Sequence, residues 1–265
     1  MELHVEVAGD GPPIVLLHGL TANHRYVVMG SRKLERSGYR VVTYDARGHG
    51  ASPAAPDGRY DYDVLADDLE SVLDAQGIDR AVLAGASMGA HTAVRFALRR
   101  PERVAGLVLV TPAFVPGNET DPASNARWDR LAAGMESGGA DGFVEAYRFD
   151  DVPEQWRETV RKVTHQRLSV HEDQHAVAAA LRGVPRSAPV DDLDELRAIT
   201  APTVVVGDRD EADPGHPLAV AERYAATIPG AELVVEDEGK SPIAWQGGQL
   251  SQVIIDLAER AEHGA

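Results

Sequence analysis

Two textures alternate along the chain. Short unbroken apolar runs are separated by longer stretches in which apolar residues return every three or four positions. Ile14-Val15-Leu16-Leu17, Arg40 to Tyr44, Ala81 to Ala84, Val104 to Val110 and Thr203-Val204-Val205-Val206 are runs of the first kind. Their length and lack of polar alternation predict strands covered on both faces, as in a parallel sheet. Leu3, Val5 and Val7 alternate with polar residues and predict a half-buried strand ahead of them, and Ala231 to Val235 predicts the last one. Between these runs the period changes. Val64, Leu65, Leu69, Val72 and Leu73 recur at helical spacing, with Asp63 as expected N-cap and Gly77 as the stop. Other helices are expected up to about Ser37 with Gly38 as cap, up to Arg100 before Pro101, and over Asp191–Ile199, Pro217–Thr227 and Gln249–Arg260. Strand and helix in strict alternation predict an α/β fold, a mostly parallel sheet with helices on both faces.

The rhythm breaks once. Between Ala113 and about Val190 there is no convincing strand, and four helical patterns are centred on Trp128-Leu131-Met135, Phe143-Tyr147, Trp156-Val160-Val163 and Val177-Leu181. Residues 113–190 are therefore expected to form a helical cap over the strand ends, and residues 1–112 with 191–265 the core. Such a cap would supply much of a substrate pocket. Trp128 is a candidate lining residue, though an aromatic at this spacing more often packs the cap's own interior.

Composition narrows the chemistry. The 265 residues carry a net charge of −16, which repels phosphate backbones and anionic lipid, so nucleic acid and membrane are not expected partners. There is no cysteine, which excludes thiol catalysis and zinc–thiolate sites. No apolar run approaches the ~20 residues of a membrane span, and Met1-Glu2-Leu3-His4-Val5 enters a strand pattern without a basic or apolar leader, so a cytoplasmic protein is expected. Gly48-His49-Gly50 lacks the third glycine of a dinucleotide fingerprint, and no Gly-Lys-Ser/Thr loop occurs. No cofactor is expected.

The most informative stretch is Leu83-Ala84-Gly85-Ala86-Ser87-Met88-Gly89-Ala90, a strand running into Gly-x-Ser-x-Gly and then a helix. In a nucleophile elbow the serine sits at the tip of a sharp turn, and the flanking glycines let strand and helix approach. Other segments fall in register with it: His18-Gly19 after a strand, the glycine-punctuated Asp45–Ser52 loop, Gly207-x-x-Asp210 after a strand, and Gly239-x-Ser241-Pro242 after the last strand. Together they resemble the α/β-hydrolase fold family, in particular its capped bacterial esterases, lactonases and cofactor-free haloperoxidase-like enzymes, over the whole chain except the cap. The short segment before the first buried run then implies about seven strands rather than eight. The resemblance implies Ser87 as nucleophile, the backbone amides of Leu20 and Met88 as the oxyanion hole, and Asp210 as the orienting acid ahead of Asp208. His18, Gly19 and His24 become candidate pocket-lining residues, and the substrate is expected to be a small ester or lactone.

One position departs from the family. Where Gly-His-Ser-Pro is usual, this chain has Gly239-Lys240-Ser241-Pro242. Lysine is ammonium at pH 7, and neutralising it there costs roughly 5 kcal/mol. A nearby Asp210 opposes that change, so a Lys240–Asp210 ion pair and a serine without a base are expected. Three readings stay open: a hydrolase weak or inactive for want of histidine, a hydrolase with an unusual neutral Lys240 base, and a non-catalytic relative that binds a ligand, an anionic one being favoured by the ammonium and the oxyanion amides. His24 and His91 are the histidines weighed as substitutes, each better suited to packing or the surface. Separately, His171-Glu172-Asp173-Gln174-His175 matches the zincin pattern if it lies on a helix, but it falls in the cap and no third ligand is evident, so a metal is not expected.

Overall fold

The computed structural model describes residues 1–263. The strands are β1 (Val5–Ala8), β2 (Pro13–Leu17), β3 (Arg40–Tyr44), β4 (Ala81–Ala86), β5 (Val104–Val110), β6 (Thr203–Gly207) and β7 (Glu232–Val235). They form one seven-stranded sheet in the order β1-β3-β2-β4-β5-β6-β7, with β1 antiparallel to β3 and every other pair parallel. The expected α/β architecture is therefore present, and each unbroken apolar run is a buried strand. Strand order runs outward from β2 to β3 on one side and from β4 to β7 on the other. The reversal lies between β2 and β4, and ligands in open α/β sheets bind beyond the carboxyl ends of the strands at such a point. Leu17-His18-Gly19 and Gly85-Ala86-Ser87 leave the sheet there.

Alternation along the strands divides the core. Val15, Leu17 and Leu83 face α2 (Tyr62–Ala75), α3 (Met88–Arg99) and α7 (Leu218–Thr227), while Ile14, Leu16, Val82 and Ala84 face α1 (Lys33–Arg36) and α8 (Gly247–His263). Two local expectations need correction. Asp61, not Asp63, caps α2: its carboxylate accepts the Val64 N–H at 3.1 Å, leaving Asp63 in the first turn. The helix expected up to Ser37 is only the single turn α1. Met29 and Gly30 adopt positive φ (47° and 73°), which an α-helix cannot contain.

Between β5 and β6 the chain is helical: α4 (Pro122–Ala146), α5 (Glu154–Leu168), α6 (Gln174–Gly183) and short 3₁₀ turns. α4 is two helices, as the separate Trp128 and Phe143 patterns predict, because Gly139 breaks it at φ 58°. The halves fold back so closely that a Cβ on Gly134 would collide with the Gly142 carbonyl, which explains a glycine at each place. No helix among the described residues is long and apolar enough to cross a membrane.

Candidate active site

Ser87 connects β4 to α3 at φ 50°, ψ −113°, a strained conformation for a residue with a side chain. The turn is held by the Ser87 N–H donating to the Val110 carbonyl at 2.9 Å. A Cβ on Gly85 would strike the Gly89 backbone, and one on Gly89 would strike the Leu17 carbonyl. Both elbow glycines are thus required by close backbone approach. Ser87 lines a cavity of about 1300 Å³ between the sheet and the cap helices, with Gly19, Leu20 and Met88 beside it.

The loop that carries Leu20 is fixed by histidines on its far side. His18 is buried; its Nδ1–H donates to the Gly19 carbonyl at 2.8 Å and its Nε2 accepts the Ala46 N–H at 2.9 Å. Burial, reinforced by His49, lowers its pKa to about 3, so it is a neutral strut. His49 Nε2 lies 2.6 Å from the Leu20 carbonyl, and His171 Nε2 lies 3.4 Å from the Thr21 carbonyl. The three consecutive carbonyls of Gly19, Leu20 and Thr21 each lie against a histidine ring nitrogen. The Met88 amide opens α3 and has no intrahelical acceptor. The cavity therefore has two amide-bearing positions beside the serine, as an oxyanion hole requires.

The partner of Ser87 is a residue the sequence pattern did not single out. His216 Nε2 lies 2.9 Å from Ser87 Oγ, and His216 Nδ1 lies 2.8 Å from Asp213 Oδ2. With Nδ1–H donating to the carboxylate, Nε2 is left to accept the serine proton. Burial opposes protonation of His216, but the charge and hydrogen bond of Asp213 outweigh it and hold its pKa above the ordinary 6.5. Burial likewise works against ionising Asp213, and His216 followed by Arg167 overcomes it, so its pKa lies below the usual carboxylate value. The loop after β6 winds through two successive turns, Asp213 N–H to the Asp210 carbonyl (3.1 Å) and His216 N–H to the Asp213 carbonyl (3.2 Å). These turns set Asp213 and His216 on one side of the loop, facing the elbow.

The expected pair sits elsewhere. Lys240 is exposed on the cavity rim and makes no ion pair among the described residues, so the Lys240–Asp210 bridge does not form and Ser87 does not lack a histidine. Asp210 also lines the cavity, but its Oδ1 accepts the Ala212 N–H at 2.8 Å and closes a turn within its own loop. Burial holds the Asp210 carboxyl above its usual pKa. Asp208 is buried beneath the loop, and burial followed by repulsion from Asp213 raises its pKa to about 7. Gly19 and Trp128 line the cavity as expected, but His18 and His24 do not. His18 is turned behind the loop to Ala46. His24 is drawn to Asp45, whose Oδ1 accepts both its backbone N–H and its Nδ1–H at 2.8 Å. His91 lines the cavity from α3 with its Nε2 accepting the Ala113 and Phe114 amides, and burial lowers its pKa to about 3.

The zincin pattern is not helical at its first histidine. Asp173 caps α6 by accepting the His175 and Ala176 amides, which leaves His171 outside the helix, where its Nδ1 accepts the Gly50 N–H at 2.9 Å. Its role is to tie the cap to the oxyanion loop. Among the described residues, the three side chains close enough to hold a metal are His4, Glu6 and His24, away from the cavity, and none belongs to that pattern.

The model of the α/β-hydrolase fold matches residues 12–176. The chain belongs to the α/β-hydrolase fold family. It is 30% identical to a 2-hydroxy-6-oxononadienedioate/2-hydroxy-6-oxononatrienedioate hydrolase of Pseudomonas putida, over 98% of this chain and 92% of that protein. A thermophilic esterase from Thermogutta terrifontis, whose structure has malate bound, superposes with a TM-score of 0.81 at 29% identity, covering 98% and 93% of the two chains. The enol-lactonase of Burkholderia xenovorans gives 0.75 at 25% identity, covering 97% and 96%. In this hydrolase the ring nitrogen that meets Ser87 comes from the loop after β6.

Proposed function

We propose that this hydrolase cleaves small carboxylic esters or lactones through an acyl-enzyme on Ser87, with His216 as base and acid and Asp213 as its orienting carboxylate. The observation that carries the reading is the chain of contacts Ser87–His216–Asp213 at 2.9 and 2.8 Å beneath an open cavity. His216 takes the hydroxyl proton as Ser87 Oγ attacks the carbonyl, and Asp213 stabilises the imidazolium. The Leu20 and Met88 amides receive the oxyanion. His216 then returns the proton to the leaving alkoxide, and water enters by the same route to release the acid. α4 to α6 act as the cap that shapes the pocket. The related esterase and enol-lactonase support an ester or lactone bond as the target.

Activity on this reading needs no change at Lys240, and the chain as written is competent. The test is turnover of short 4-nitrophenyl esters by the unmodified protein and by Ser87→Ala. A burst of nitrophenolate and covalent labelling by a fluorophosphonate at Ser87 are expected. Equal rates for the two proteins would refute the proposal.

A further inference from the structure

The carboxylates of the cavity wall are confined to one side. Asp210, Glu211, Asp213, Asp237 and Glu238 all come from the loops after β6 and β7. The cap contributes Arg127 and Arg167 and no carboxylate, although the chain as a whole carries 42 acidic residues against 26 basic ones. Of the two, Arg127 is stacked over Tyr147, its guanidinium carbon 5.4 Å from the ring centroid. Arg167, from α5, has no such neighbour. Its Nε is buried without a hydrogen-bond partner, and no carboxylate lies within ion-pair distance of its guanidinium among the described residues. Asp213 interacts with it through charge but makes no hydrogen bond to it, its carboxylate being engaged by His216.

A guanidinium in that position is incomplete. Its charge is partly stripped of water, its planar fork of donors is unfilled, and it faces the space where a substrate must lie to reach Ser87. Taking a cation out of water is unfavourable unless an anion compensates it. The group that fills a guanidinium fork with two parallel charge-assisted bonds is a carboxylate. We infer that Arg167 is the anchor for a free carboxylate on the substrate, so that the preferred substrates are esters or lactones of dicarboxylic acids. The carboxylate would point to the cap and the scissile carbonyl to the elbow. The loops after β6 and β7 also bring Arg209 and Lys240 to the wall, so orientation rests on the Arg167 fork and not on repulsion from the opposite side. Arg167 is then a specificity-determining residue, not part of the proton relay.

The inference rests on the serine-hydrolase reading for its turnover arm but not for its binding arm. The turnover arm compares the mono-4-nitrophenyl ester of glutaric acid with the same compound methylated at its free carboxylate. The unmodified protein is expected to favour the free acid in kcat/KM by about tenfold or more, mainly through KM. In Arg167→Met the ratio of the two substrates is expected to fall to about one, and in Arg167→Lys to an intermediate value, because charge without the fork recovers only part of the contact. Using the ratio cancels any effect of Arg167 on His216, which both substrates share. The binding arm measures calorimetric binding of glutarate to Ser87→Ala, with and without Arg167→Met. Arg167→Met is expected to weaken it by about tenfold. Two results would overturn the inference: a free-acid preference that survives Arg167→Met, or glutarate binding that is absent or indifferent to Arg167. Failure of both esters while glutarate binds through Arg167 would instead sink the serine-hydrolase reading and leave the anion site standing.

Discussion

The position of the base is the point at which sequence register and three-dimensional geometry disagree, and one pair of substitutions separates them. Register places the base at 240, where lysine stands; geometry places it at His216. If register governs, Lys240→His restores a missing imidazole and turnover rises by orders of magnitude. If geometry governs, it adds a second imidazole on an exposed rim while Ser87 already has a ring partner, and the rate stays within about threefold. His216→Gln is the converse. Glutamine approximates the ring's length but cannot take the serine proton, and losing the base of such a triad alone costs about 10⁶ in kcat in the best-studied serine protease. That corresponds to about 8 kcal/mol of barrier. The loss here should be of that order if both contacts, 2.9 Å to Ser87 and 2.8 Å to Asp213, are made during turnover. The assay is pre-steady-state release of 4-nitrophenolate from a short ester, with circular dichroism to show that the variant is folded. A His216→Gln protein retaining more than about a tenth of the activity would refute the assignment, as would a large gain from Lys240→His.

The structure gives four further outcomes. His216 must be neutral to act as base and its pKa is held up by Asp213, so kcat/KM should fall as pH drops through an apparent pKa above 6.5. Asp213→Asn should remove that elevation, moving the acid limb to lower pH while reducing kcat by about 10⁴. Asp208 has a folded pKa raised to about 7, so it binds a proton in the native state that the unfolded chain has released, and its contribution to stability declines as pH rises from about 4 to 7. Asp208→Asn should therefore raise Tm, with a gain larger at pH 8 than at pH 5; an equal gain at both would show that its ionisation is not the cause. Arg47 and Asp68 form a buried two-pronged pair at 2.6 and 2.8 Å behind the Asp45 loop, and Arg47→Met leaves the carboxylate uncompensated. Urea denaturation should show a loss of about 3–5 kcal/mol.

Much of the architecture was readable because it rests on local rules. Unbroken apolar runs became buried parallel strands. Gly-x-Ser-x-Gly became the elbow because a Cβ on either glycine would meet backbone, a constraint that strand and helix impose within a few residues of each other. The Leu20 loop was legible as a place but not as a mechanism: nothing in the order of residues says that His18, His49 and His171 would each lie against one of its three consecutive carbonyls. The ring that meets Ser87 was the feature the sequence pattern did not single out. Lys240 occupies the loop that usually presents the imidazole, and register alone drew attention to it. The signal for His216 was nevertheless present, as a histidine three residues after an aspartate in the loop that also carries Asp210. What register does not encode is which of three aspartates turns inward. Asp210 spends its carboxylate on the Ala212 amide, Asp208 is buried beneath the loop, and Asp213 is left to meet the ring.

On the proposed reading, carrying base and acid on one loop changes what the rest of the site must do. In the arrangement implied by the family resemblance, two loops from two strands have to meet before the relay exists, and any movement between them separates acid from base. Here Asp213 and His216 are three residues apart and already joined by a backbone turn of 3.2 Å, so their contact is local. The loop after β7 is released from holding a ring in place, which is why a charged, exposed Lys240 is tolerated there. The alignment that still has to be kept is between the β6 loop and the elbow. β5 lies between β4 and β6 and keeps it: Ser87 N–H donates to Val110 and Thr111 N–H to Val206, at 2.9 and 2.7 Å, so the nucleophile and the strand that launches its base are pinned to the same neighbour. The relay is then only as rigid as the ten residues from Asp208 to Pro217, a loop held by short turns and not by a strand or helix, and that is where loss of activity on warming should begin, ahead of global unfolding.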